Sequence, residues 1–311
     1  MIEIIKVESK DQEREFVMFP FSLYKGCDYW VPPIISEELE SMDKEKNPVF
    51  ENAEAEFYIA KKDGVTVGRI AAMVNWVEIE EQKKNKLRFG WYDTIDDLEV
   101  SKKLLESVIE FGKKRKLEFV DGPVGFSNMD KAGLLIEGYE ELNTMITWYH
   151  YPYQKEHLKK LGFSKLAEWV EYKIKIFSAE DAPEKVKKFS KIIQQRYELK
   201  VLNFKSRKEI IPYVDKMFEL LNVTYSNLQT YVTIKQYQID FYKEKFIKYI
   251  HPDFIKCCLD KDDNLIAFLI TMPSFSRALK KINGKMGLMG YLRLFKAQHF
   301  NDRVSLYLIG V

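Results

Sequence analysis

Residues 87–121 read LRFGWYDTIDDLEVSKKLLESVIEFGKKRKLEFVD. Residues 87–94 are rich in apolar and aromatic side chains and read as a strand. From residue 99 to residue 116 the period changes. Val100, Leu104, Leu105, Val108, Ile109 and Phe111 then fall on one stripe with lysines opposite, the pattern of an amphipathic helix. Asp96, with Glu99 three residues on, is a capping-box-like start. Residues 118–121 return to strand character before Gly122-Pro123 ends it. Strand, helix and strand in so short a span predict an α/β (α+β) fold.

Working outward, residues 2–7 predict an opening strand and residues 11–24 a helix with Phe16, Phe19 and Leu23 inward. Tyr29-Trp30-Val31-Pro32-Pro33 cannot continue it, because proline restricts the residue before it. Residues 57–60 and 67–74 are strands around Lys61-Lys62-Asp63-Gly64, a hairpin signal. After residue 121 a long loop covers 124–141, a helix spans 153–161 with Gly162 as its stop, and 169–176 reads as a strand. The polar run SAEDAP at 178–183 marks a linker, so the expected domains are 1–177 and 184–311. In the second half, helices are expected at 186–193, 210–221 and 235–250, a hairpin at 254–259 and 265–271, and a closing strand at 305–311. Each half places helices, a hairpin with an acidic-Gly or acidic-Asn tip, a connector and a strand in the same order, an internal repeat by pattern.

Composition narrows the function. The 311 residues are 46% hydrophobic and 14% aromatic, enough to build a core. Forty-nine basic residues against 47 acidic ones leave +2, so no global field favours nucleic acid. Cys27, Cys257 and Cys258 fit neither a zinc site nor a disulfide framework and read as small buried hydrophobes. His150, His157, His251 and His299 show no ligand spacing, and no metal is expected. There is no Gly-x-Ser-x-Gly elbow and no P-loop. No apolar run is long enough for a membrane span, and MIEIIKVESK is no signal peptide, which points to a cytoplasmic protein.

Four stretches carry a family resemblance: Phe19-Pro20-Phe21-x-Leu23-Tyr24-Lys25 with Trp30-Val31-Pro32-Pro33; Gly122-Pro123-Val124-Gly125-Phe126-Ser127-Asn128-x-Asp130; Gly133-Leu134-Leu135-Ile136-Glu137-Gly138-Tyr139; and Leu161-Gly162-Phe163. Pro273-Ser274-x-Ser276-x-Ala278-Leu279 and the terminal Leu308-Ile309-Gly310-Val311 extend it. Together with the element order, they resemble a bacterial family of two-domain, GNAT-like acyl-CoA N-acyltransferases. The resemblance implies a mixed central sheet flanked by helices, then a second GNAT-like domain. It also implies acetyl-CoA or another acyl-CoA as co-substrate and an amine acceptor. In such families a strand like 308–311 runs into a Gly-rich turn whose N–H groups bind the CoA pyrophosphate at a helix mouth. The chain stops at Val311, so the second domain is expected to be incomplete there. Its exposed sheet edge would admit a second copy as a homodimer. The equivalent turn in the first half, residues 94–99, has no glycine and carries Asp96, Asp97 and Glu99. These would repel CoA phosphates by about 1 kcal/mol per close pair. The first domain is therefore expected to be a degenerate copy. The alternative is a non-catalytic ligand- or partner-binding module on the same scaffold.

Ser127, Asn128 and Asp130 sit on a polar loop and are candidate substrate-binding groups, or simply turn residues. Glu137 could act as general base for an amine. Tyr149, in the aromatic run with His150, Tyr151 and Tyr153, could protonate a departing thiolate, as the resemblance suggests, or pack in the core. Between residues 277 and 303, seven basic residues face only Asp302 and interleave with apolar ones. That stretch reads as an anion-facing or peripheral membrane contact, or as a solvated face.

Overall fold

The structure is a computed structural model. It describes residues 1–127, 129–176, 178, 180–246 and 251–311, with the backbone alone for Phe246. The chain forms two compact units: Met1–Glu168 with Ser274–Asn301, and Trp169–Pro273 with Asp302–Val311.

In the first unit, β1 (Ile2–Lys6), β2 (Ala53–Lys62), β3 (Val65–Asn75), β4 (Lys86–Thr94) and β5 (Phe119–Asp121) form one sheet in that order. The first four strands are antiparallel and β5 is parallel to β4. The central β3 is buried on both faces, in keeping with the unbroken apolar run at 70–74. Ile70, Ala72 and Val74 face α4 (Leu98–Lys114), whose Val100, Leu104, Val108 and Phe111 complete that half of the core. Ala71 and Met73 pack on the other side, with Phe16 and Val17 of α1 (Lys10–Leu23) and Met42 of α2 (Ile35–Met42). Each such side chain contributes about 1.5–3 kcal/mol on burial. Ser9 and Gln12 form a capping box that fixes the start of α1. A short α3 (Trp76–Glu80) links β3 to β4, and α5 (Pro152–Lys160) ends at Gly162, whose φ of 89° suits the residue after a helix C-cap.

The second unit contains α6 (Glu184–Arg196), β6 (Lys200–Asn203), α7 (Arg207–Tyr225), α8 (Gln236–Phe246), β7 (Ile255–Leu259), β8 (Leu265–Pro273) and β9 (Val304–Gly310). The sheet order β6-β7-β8-β9 is antiparallel throughout. From β6 onward this repeats β1-α1-α2-β2-β3-β4. The repeat extends to irregularities. The outer strand of the β3–β4 pair carries one extra residue at Trp91-Tyr92, and that of the β8–β9 pair carries one at Tyr307. Where the first copy has α3, the second has α9 (Ser276–Ile282) and α10 (Leu288–His299), which pack with the first unit through Val31, Leu279 and Ile282.

Several expectations shift. The helix expected at 99–116 is Leu98–Lys114, and its cap is Asp97 rather than Asp96. The strand expected at 169–176 does not form: Trp169, Tyr172, Ile174 and Ile176 alternate correctly but are exposed, with no ladder partner among the described residues. The helix expected at 235–250 is seen as Gln236–Phe246, and 247–250 lie outside the described residues. By contact the first unit ends at Glu168 and includes 274–301, whereas the linker reading had divided the chain at 178–183.

Candidate functional site

The candidate site lies where β4 leaves β5. Their parallel pairing lasts only from Lys86↔Phe119 to Arg88↔Asp121. A buried ion-pair network holds this junction: Arg88 grips Glu78 with Nε and Nη2 at 2.7 and 2.8 Å, and Lys86 Nζ lies 2.7 Å from Asp121 and 3.2 Å from Glu78. Beyond it β4 bulges, with Trp91 at a φ of 48°, a strained conformation for a bulky side chain. Trp91 is held there by its indole N–H, which donates to Glu38 at 2.8 Å, and by rings of Phe57, Phe126 and Trp148.

A parting pair of strands bares backbone groups that an extended, amide-containing ligand could bond. CoA's pantetheine arm is such a ligand. Here the protein itself takes these groups. Val124 N–H donates to Phe89 O at 2.8 Å, Gln154 Nε2 to Tyr92 O at 3.0 Å, and Tyr153 O–H to Thr94 O at 2.7 Å. Val124 O also presses on Gly90, where an added Cβ would lie 2.6 Å away.

The mouth of α4 is filled in the same manner. Asp97 accepts from Glu99 N–H at 3.0 Å and pairs with Lys62, whose hydrogen bond holds the carboxyl below its usual range. The N–H groups of Val100 and Ser101 donate to Asp97 O. Asp96 lies 3.1 Å from His157 Nε2, and His157 Nδ1 lies 2.8 Å from Ser101 Oγ. Serine, histidine and aspartate are thus in contact, but Ser101 is fully buried and also meets Tyr92 O–H at 2.9 Å. The chain clamps α5 to α4 and presents no nucleophile. No glycine lies at this mouth, and Asp96, Asp97 and Glu99 set carboxylates where a pyrophosphate would come, so these residues do not fit CoA.

On the other face of β4, Arg69 Nε donates to Asp93 Oδ2 at 2.8 Å and Tyr24 O–H to Oδ1 at 2.6 Å. All three are buried. Burial, then the Asp93 charge, raises the Tyr24 hydroxyl well above its ordinary pKa. A cavity of about 20 Å³, room for one water, adjoins them, lined also by Trp30, Lys131 and Tyr149. His150, buried beside it, accepts from Leu135 N–H, and burial pushes it down to about 4.

The structure brings Tyr149 into this centre, with its hydroxyl donating to Tyr139 O at 3.1 Å. Glu137 is exposed and makes no hydrogen bond to it. Ser127 and Asp130 bond each other: Ser127 N–H donates to Asp130 Oδ2 at 2.9 Å, and Met129 N–H to Ser127 Oγ at 3.2 Å. That is turn chemistry. Asn128 lies outside the described residues. Sequence reasoning missed Arg69, Asp93, Tyr24 and the Ser101–His157–Asp96 chain. A buried-strand arginine beside an aspartate-bearing strand was the available signal for the first. Among the described residues no group of three or more His, Cys, Asp or Glu side chains could hold a metal ion, and no helix is long and apolar enough to cross a membrane.

No protein-family model matches the chain. It is similar to Protein YghO of Escherichia coli (strain K12), 25% identical over 290 residues, which is 92% of this chain and 72% of that one. It is also similar to a bacterial ceramide synthase of Caulobacter vibrioides (strain NA1000 / CB15N), 23% identical over 174 residues, 55% of this chain and 45% of that one. Among solved structures, a tandem GNAT protein from the clavulanic acid biosynthesis pathway covers 87% of this chain and 74% of its own, at 10% identity and a TM-score of 0.41. A GNAT-family acetyltransferase from Staphylococcus aureus Mu50 covers 39% of this chain and 73% of its own, at 16% identity and a TM-score of 0.30. The deciding observation is the run β1-α1-α2-β2-β3-β4-α4-β5, antiparallel to a bulged β4 and then parallel. The fold is GNAT-like. The second sheet repeats this strand framework through β9.

Proposed function

We propose that this chain serves acyl transfer from a CoA thioester, acetyl-CoA or another acyl-CoA, to an amine, and that its first unit is a support that holds no CoA. The observation that carries this reading is the occupation of the first unit's cleft: Gln154 and Tyr153 bond the Tyr92 and Thr94 carbonyls, and Asp97 accepts from the Glu99, Val100 and Ser101 amides of α4. The repeated framework supports assigning cofactor binding to the second unit. The likeness to a ceramide synthase supports an amine acceptor, since a ceramide is an amide of a long-chain amino alcohol. Among the loop candidates, Glu137 alone is an exposed carboxylate not tied up in the Ser127–Asp130 turn.

The test is thiol release from acetyl-CoA and from a long-chain acyl-CoA over a panel of amines, using the chain and its Asp96→Trp variant. Asp96 is largely exposed, so the bulky ring fills the α4 mouth without entering the core. Turnover unchanged by Asp96→Trp is expected. Turnover or acyl-CoA binding lost in that variant would assign CoA to the first unit and end the reading. Absence of thiol release with every pair would remove the acyl-transfer proposal itself.

A further inference from the structure

α10 turns its large side chains the wrong way for a helix packed on a core. Leu288, Met289, Tyr291, Leu292 and Phe295 are 53–79% exposed, while the buried position is Gly290. An ordinary surface helix does the reverse. The charges carried on this stretch are of one sign, although Lys280 of α9 pairs with Asp28 and Asp302 follows it. Residues 276–301 contain Arg277, Lys280, Lys281, Lys285, Arg293 and Lys296 and no acid. The helical pair is also extra to the scaffold. At the same point of the first copy, the five-residue α3 suffices to join β3 to β4.

We propose that α10 is a docking element for a bilayer surface carrying anionic headgroups. A helix with leucine and aromatic side chains on one face and Arg or Lys beside them lies in the interface plane, its apolar face among the acyl chains and its cations at the phosphates. The twelve residues of α10 give a rod about 18 Å long. A protein groove needs no such uniform charge, whereas an anionic membrane attracts each Lys or Arg near its surface. The inference is independent of the acyl-transfer reading.

The test is co-sedimentation of the full chain with vesicles of phosphatidylcholine, and with vesicles containing roughly 30% phosphatidylglycerol, at low and high salt. The variants are Leu292→Asn with Phe295→Asn, and Arg293→Gln with Lys296→Gln; all four positions are exposed, and circular dichroism checks that the fold is kept. Binding to the anionic vesicles about tenfold tighter than to neutral ones is expected, weakened by salt and lowered severalfold by each double variant. Equal partition to both vesicles, no sedimentation, or undiminished binding by the Leu292/Phe295 variant would overturn the proposal. So would self-association in lipid-free buffer that the same variant abolishes, which would give this face to a second copy.

Discussion

Replacing Arg69 by methionine should be among the most damaging single changes in the first unit. Arg69 and Asp93 are 4% and 6% exposed and meet at 2.8 Å. Methionine fills much of the arginine's volume but leaves the Asp93 carboxylate in the core without its guanidinium partner, bonded to the Tyr24 hydroxyl. Removing one partner of a buried ion pair typically costs about 3–5 kcal/mol. For a unit of this size that corresponds to a fall of about 6–20 °C in the unfolding midpoint, read by near-ultraviolet circular dichroism. The companion variant, Arg69→Met with Asp93→Asn, removes the stranded charge and keeps an acceptor for Tyr24. It should recover at least half of the loss. A midpoint shift of only a degree or two, or a double variant as unstable as the sum of the singles, would refute the account of this centre.

Other outcomes follow from the same coordinates. Gly90→Ala places a Cβ 2.6 Å from Val124 O and should cost about 1–3 kcal/mol, seen as a lower urea midpoint at unchanged slope. His150 is held neutral, with its pKa pushed down to about 4 from an ordinary 6.5, so its contribution is complete above pH 6.5 and is lost as pH falls toward 4. His150→Gln keeps an acceptor for Leu135 N–H and should flatten stability over that window. His157→Ala removes the link from Ser101 to Asp96 and unclamps α5, at about 1–3 kcal/mol, with faster amide exchange in Pro152–Lys160 than in β3.

Legibility in the sequence followed how local each cause was. The α4 stripe and the β2–β3 hairpin are set by spacing and by Asp63-Gly64, and both could be read directly. The α4 cap was misplaced by one residue because two aspartates adjoin. What separates them is His157, which recruits Asp96 from 61 positions away. The four-residue β6 is too short to show a period. α9 and α10 were masked by Gly284, Gly287 and Gly290 and by a reversed face. The Arg69–Asp93 contact depends on a register that the bulge at Trp91-Tyr92 displaces, and Tyr24 reaches it across 69 positions. The polar loop at 127–130 drew notice for the very residue types that make turns.

The extra residue in β4 has a counterpart in β9. Counted from those two irregularities, the Arg69↔Asp93 pair of the first sheet stands where the second has Leu269↔Ile309. One backbone device therefore carries salt in one sheet and hydrocarbon in the other, so the extra residue belongs to the way the strands are laid and leaves the chemistry of the neighbouring pair free to vary.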